Sequence, residues 1–140
     1  MNEHKKILAQ NWLSKAETRY SAAQVLFKSK LYGDAGTKLY YAIYSVLRAI
    51  FVVDNITAKN DRDIVKHPTL IGTFNRRYVH EEKLFPIEFS SFIKKVEALR
   101  VDVDYGDMVI IGAEDIQPHM EYFQTFFQEI SKYAGKKMNS

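Results

Sequence analysis

Three stretches of the chain carry side chains able to act on a phosphodiester or to hold an anion. In Arg62-Asp63-Ile64-Val65-Lys66-His67 a guanidinium and an imidazole are separated by four residues. A neutral imidazole at His67 can remove the proton of a ribose 2′-hydroxyl while Arg62 stabilises charge building on the phosphorus oxygens, which is metal-independent RNA cleavage. His67 stands directly before Pro68, so it also reads simply as the residue leading into a helix. In Arg100-Val101-Asp102-Val103-Asp104-Tyr105, Arg100 can bind phosphate, and Tyr105 can stack on a base or donate a hydrogen bond. The same residues equally suit a helix end, with Arg100 facing the negative terminus and Asp104 stabilising a turn. The third stretch is Lys38, Tyr41, Tyr44 with Ser45, and Arg48, which recur at helical spacing as one polar stripe on an apolar segment. Such a stripe either satisfies tyrosine hydroxyls at the edge of a core or lines a cleft between helices, and a partly buried Arg48 requires an anionic partner, carboxylate or phosphate.

Other chemistries drop out. With no cysteine among 140 residues there is no disulfide framework, thiolate nucleophile or cysteine-bound metal. The chain has no phosphate-binding glycine loop, no Gly-x-Ser-x-Gly elbow, no helical His-Glu-x-x-His pair and no calcium loop, so neither a cofactor nor a metal is expected. Net charge is +3, with 13 Lys and Arg against 6 Asp and Glu in residues 1–80, then 7 against 11 in residues 81–140. The basic first half can attract polyphosphates, although solvated helix faces produce the same asymmetry.

The elements that must position these groups are helical. Residues 5–30 place Leu8, Trp12, Leu13, Ala16, Tyr20, Ala23 and Phe27 on one stripe. Tyr32-Gly33-Asp34 then reads as a turn in which Asp34 caps a second helix. That helix, running to about Val53, is apolar almost all round and belongs at the centre. Asp54 to Lys66 reads as a surface loop, and Pro68 predicts a short helix over Thr69 to Tyr78. Pro86 introduces a helix ending near Arg100, residues 101–112 read as loop, and a last helix spans Ala113 to Tyr133 before a basic tail at Lys136-Lys137. The expected architecture is an all-α, single-domain, up-down antiparallel bundle of four long helices plus a short fifth over residues 1–140. The most apolar run, Leu39 to Val53, is too short to span a bilayer, and the start shows no secretory leader, so a cytoplasmic protein without membrane contact is expected.

The order Gly33-Asp34-Ala35, Lys38-Leu39-Tyr40-Tyr41-Ala42-Ile43-Tyr44, Lys66-His67 with Phe74, and Leu99-Arg100 with Asp104-Tyr105-Gly106-Asp107 resembles the HEPN superfamily. It is most similar to an archaeal and bacterial subfamily with Ala-Tyr-Tyr-Ala and Arg-x-x-x-Asp-Tyr signatures, over roughly residues 10–133. The resemblance implies a helical bundle that forms a homodimer and is often encoded beside a small nucleotidyltransferase in a toxin–antitoxin or two-component system. Many members are metal-independent RNases whose Arg-x4–6-His motif meets its copy across a dimer cleft. Arg62 and His67 match that pattern ahead of the short helix, whereas the usual place is the end of a later long helix. There this sequence has Arg100 with Asp104-Tyr105 in place of the histidine, and Lys38 and Ser45 replace the more usual arginine and histidine. The expected function is therefore binding of RNA or a nucleotide by Lys38, Tyr41, Arg48, Arg100, Asp104 and Tyr105, in concert with a nucleotidyltransferase. The alternatives are an RNA endonuclease toxin using Arg62 and His67, or a non-catalytic structural dimer.

Overall fold

In a computed structural model the described residues are 1–56, 67–106 and 110–140, with the backbone alone described at 67, 68, 104 and 105. They form helices α1 (Glu3–Lys28), α2 (Tyr32–Val53), α3 (His67–Phe74), α4 (Ile87–Tyr105) and α5 (Ala113–Met138), with a π-helical segment, Asn75–Glu81, continuing α3. Four long helices and one short one make an all-α bundle, and among the described residues there is no strand. No helix among them is long and apolar enough to cross a membrane. As its all-round apolar character predicts, α2 is central and packs on each of the other four helices.

The closest partnership is between α1 and α2, and it follows from alanines. Ala9, Ala16 and Ala23 on α1, and Ala35, Ala42 and Ala49 on α2, repeat every seven residues and are fully buried. A row of methyl groups lets two helix backbones approach closely. Phe27 packs on Tyr32 near the turn, Arg19 on Tyr41 midway, and Trp12 on Arg48 at the far end, so the helices run antiparallel in one register that brings the alanine rows together. The connecting turn lies earlier than Tyr32-Gly33-Asp34. Leu31 N–H bonds Leu26 C=O at 2.9 Å and Lys30 N–H bonds Phe27 C=O at 3.0 Å, closing α1 with Lys30 in the left-handed region at φ 63°. Asp34 consequently sits inside the first turn of α2, favourable to its dipole, rather than capping it. Gly33 is helical, and a Cβ there would lie 3.3 Å from Val103 of α4.

Val103 also explains why α4 does not stop near Arg100. Its half-buried side chain packs over Gly33, so α4 continues to Tyr105 before Gly106 N–H closes on Asp102 C=O. The short helix differs from expectation too. It begins at His67, is α-helical to Phe74, and then widens into the π-helical turn. Two ion pairs five residues apart, Arg76–Glu81 and Arg77–Glu82, both at 3.1 Å, lie along that wider turn. The last helix runs past Tyr133 to Met138 because Ala134 and Met138 continue the buried stripe of Ile130, which makes Lys136-Lys137 its final turn rather than a tail. Its start is fixed by Asp115, whose carboxylate accepts the Gly112 N–H at 2.9 Å.

Phe74, Tyr78, Phe85, Phe89, Phe92 and Phe126 form one aromatic cluster where α3, the π-helical turn, α4 and α5 meet. At its margin Asp54, expected in a surface loop, is buried with its side chain 5% exposed. It accepts hydrogen bonds from Tyr78 Oη and, at 2.8 Å, Tyr133 Oη, with Lys137 Nζ at 3.6 Å. Burial, reinforced by the hydrogen bond to Asp54, pushes both phenols above the ordinary tyrosine range.

Leucine in place of Ala16 or Ala42 wedges the helix pair apart and is expected to destabilise the fold by about 1–3 kcal/mol. Urea unfolding measures this, and an unchanged midpoint would show that the alanine rows are not in close contact. Because the folded state holds the Tyr78 and Tyr133 protons more tightly than the unfolded chain, their contribution is complete below pH about 10 and declines as pH rises above it. Phenolate absorbance should therefore show at least two of the nine tyrosines silent until alkaline unfolding. Ionisation of all nine ahead of unfolding contradicts this.

Candidate functional site

The polar edge of α2 meets α1 on one side and α4 on the other. From α1, Arg19 Nη1 donates to Ser45 Oγ and, at 3.3 Å, to the Tyr41 carbonyl, to which Ser45 Oγ also donates at 2.9 Å. Ser45 is fully buried, and this exchange satisfies its hydroxyl. The Arg19 guanidinium lies 5.9 Å from the centre of the Tyr41 ring, and Arg100 of α4 lies 5.9 Å from that same centre and 5.0 Å from that of Tyr40. Two turns beyond Tyr41 on α2, Arg48 stands 4.8 Å from the Trp12 ring centre and 5.9 Å from that of Tyr44, and donates to Tyr44 Oη at 3.2 Å. Three arginines from three helices thus share one row of aromatic rings. Each cation–π contact contributes roughly 0.5–2 kcal/mol and orients a guanidinium plane without cancelling its charge.

Beside this row is a hollow of about 380 Å³ lined by Tyr40, Lys94, Glu97, Arg100 and Asp102 among others. Burial, then the charge of Glu97, pushes the Tyr40 phenol up to about 12, with Arg100 opposing them, so Tyr40 is a neutral hydrogen-bonding group at physiological pH. With two cations and two carboxylates among the described residues that line it, the hollow suits a polar ligand that both donates and accepts.

The structure brings Tyr41, Arg48 and Arg100 of the sequence-derived set onto one face, while Lys38 is exposed on α2. Asp104 and Tyr105 are the last two residues of α4, helical rather than in a loop, and their side chains fall outside the described residues. His67 opens α3 and its side chain is likewise outside them, as is all of Arg62. Arg48 answers its demand for a partner differently from expectation: among the described residues it is held by Trp12 and the Tyr44 hydroxyl rather than a carboxylate. Arg19 and Trp12 escaped the motif-based reading because they belong to no motif. Their signal is the alanine repeat, since Arg19 lies three residues after Ala16 and four before Ala23, beside the seam, where a long side chain reaches onto α2.

This bundle, with an arginine–tyrosine face at the junction of α1, α2 and α4, belongs to the HEPN domain family, whose match covers residues 9–133. Two proteins of Methanocaldococcus jannaschii are similar. The one named "Putative toxin MJ0605" is 36% identical over 90 residues, which are 64% of this chain and 62% of that protein. The one named "Putative toxin MJ0142" is 22% identical over 125 residues, 89% of this chain and 80% of that protein.

Arg19→Ala and Ser45→Ala each remove one side of a part-buried charged hydrogen bond. Losing the arginine is expected to cost about 1.5–3 kcal/mol, and the double variant should show coupling of about 0.5–3 kcal/mol. Strictly additive urea-unfolding energies would show that the two groups do not act together.

Proposed function

We propose that this HEPN protein is toxin-like and binds RNA or a nucleotide at its arginine–tyrosine face, as a homodimer working with a small nucleotidyltransferase in a toxin–antitoxin or two-component system. The observation that carries the proposal is the attachment of Arg48 and Arg100, from different helices, to one row of tyrosine rings. A guanidinium with a fixed plane meets a phosphate bidentately, and a ring beside it can receive a base. The family match and the printed names of the two relatives support the toxin-like character. Binding without cleavage is favoured by Asp104 at the position where the resembling nucleases carry histidine, because an ordinary carboxylate is a poor general base near neutral pH.

Trp12, the single tryptophan, lies against Arg48 and serves as a built-in fluorescent reporter. Titration with a nucleoside triphosphate or a short RNA should change its emission, and Arg100→Ala should weaken binding about 10- to 100-fold, the equivalent of one charged hydrogen-bonding group. Undiminished affinity in a folded Arg100→Ala variant removes the arginine–tyrosine face from the function. Metal-independent RNA cleavage that disappears in His67→Ala would instead make the protein a ribonuclease.

A further inference from the structure

A groove of about 720 Å³ runs between α3 with its π-helical continuation and α4. Among the described residues its lysine and arginine lining is Arg76, Lys94 and Lys95, its other polar lining includes Asn75 and His80, and neither a carboxylate nor a phenyl, phenol or indole ring lines it. Among the described residues the hollow beside Arg100 balances two cations with two carboxylates, and this groove does not. Arg76 does pair with Glu81 at 3.1 Å, but the side chains are 65% and 54% exposed, so the pair contributes little and yields readily to a more highly charged anion.

Gly72 provides a second, independent observation. It lies inside α3, exposed and without positive φ, and a Cβ built there would meet no atom of the described residues within 4 Å. Neither backbone conformation nor packing requires glycine, while an interior helical glycine costs about 1 kcal/mol relative to alanine. What glycine does provide is an open wall in the groove it lines, as close approach of another molecule's backbone demands. Across from it the Ser90 hydroxyl donates to Asn75 Oδ1 at 2.9 Å, fixing the two walls relative to each other and orienting the Asn75 amide.

We infer that this groove binds the sugar–phosphate backbone of an RNA stem. Cations and short polar side chains without a stacking ring fit phosphates and 2′-hydroxyls presented along an A-form helix, whereas a single strand would call for aromatic platforms. The inference rests on the RNA alternative of the proposed function and specifies its substrate as base-paired. Lys94 lines both the groove and the hollow with Arg100, so the two surfaces adjoin and one RNA can lie along both.

The test uses the whole 140-residue chain and residues that line the groove but not the hollow beside Arg100. A short RNA hairpin and an unstructured RNA of the same composition are titrated against wild type, Arg76→Gln/Lys95→Gln and Gly72→Glu, with thermal unfolding as the control. Wild type should prefer the hairpin. The double variant should bind it at least 10-fold more weakly and lower the slope of log K against log salt by about 1–2, as expected for one or two lost phosphate contacts. Gly72→Glu should weaken hairpin binding with no loss of thermal stability, since it replaces a helical glycine in open space. Hairpin affinity and salt slope unchanged in both variants, or equal affinity for the unstructured RNA, overturn the groove while leaving the arginine–tyrosine face intact if Arg100→Ala still weakens nucleotide binding. Absence of any hairpin binding by wild type also overturns it, and absence of nucleotide binding as well overturns both.

Discussion

The close antiparallel contact of α1 with α2 is the constraint on which the rest of the bundle depends. Alanines at seven-residue spacing on both helices leave little between the two backbones, so residues flanking the seam reach across rather than outward. Arg19 bonds into α2, and Trp12 receives Arg48, as consequences of that distance. Had the seam been filled by leucines, the helices would stand further apart and the guanidinium of Arg19 would no longer reach Ser45. With α1 close on one side, α2 turns Tyr40 and Tyr41 toward Arg100 of α4, so the candidate site is assembled around a helix whose position is already fixed.

The opposite half of the molecule is organised by aromatic rings and one buried carboxylate. Asp54, ending α2, gathers hydroxyls from the π-helical turn and from α5 and a cation from the last turn of α5. A buried charge is tolerable only when hydrogen-bonded and paired, and here three partners from two elements meet that requirement. The wider turn belongs to the same arrangement. The Tyr78 hydroxyl reaches Asp54 while Tyr78 stacks on Phe74, and the ion pairs along the π-helical turn lie at its own five-residue spacing. The π-helical segment then presents Arg76 toward α4, forming one side of the basic groove.

Helix number, order and the centrality of α2 were legible in the sequence, because apolar periodicity and the two proline signals are local. Boundaries were less so, and each departure has a cause distant in sequence. Helix α4 continues to Tyr105 through contact of Val103 with Gly33, α5 continues to Met138 because that face stays buried, and Asp54 is internal because Tyr78 and Tyr133 come to it. Of the candidate site, the stripe of Tyr41, Tyr44 and Arg48 was visible as helical spacing, and Arg100 as a motif position. Arg19 and Trp12 were not, since their role comes from the distance between two helices.

By itself the sequence determined an all-α bundle with a central apolar helix bearing a polar edge, since hydrophobic periodicity dictates which face of each helix leaves water. Tertiary structure decided which cations share that edge, which carboxylate is buried, and that a second, more basic groove opens where α3 passes α4. These outcomes depend on interhelical distance and on side chains meeting from residues tens of positions apart, and no spacing along the chain encodes them.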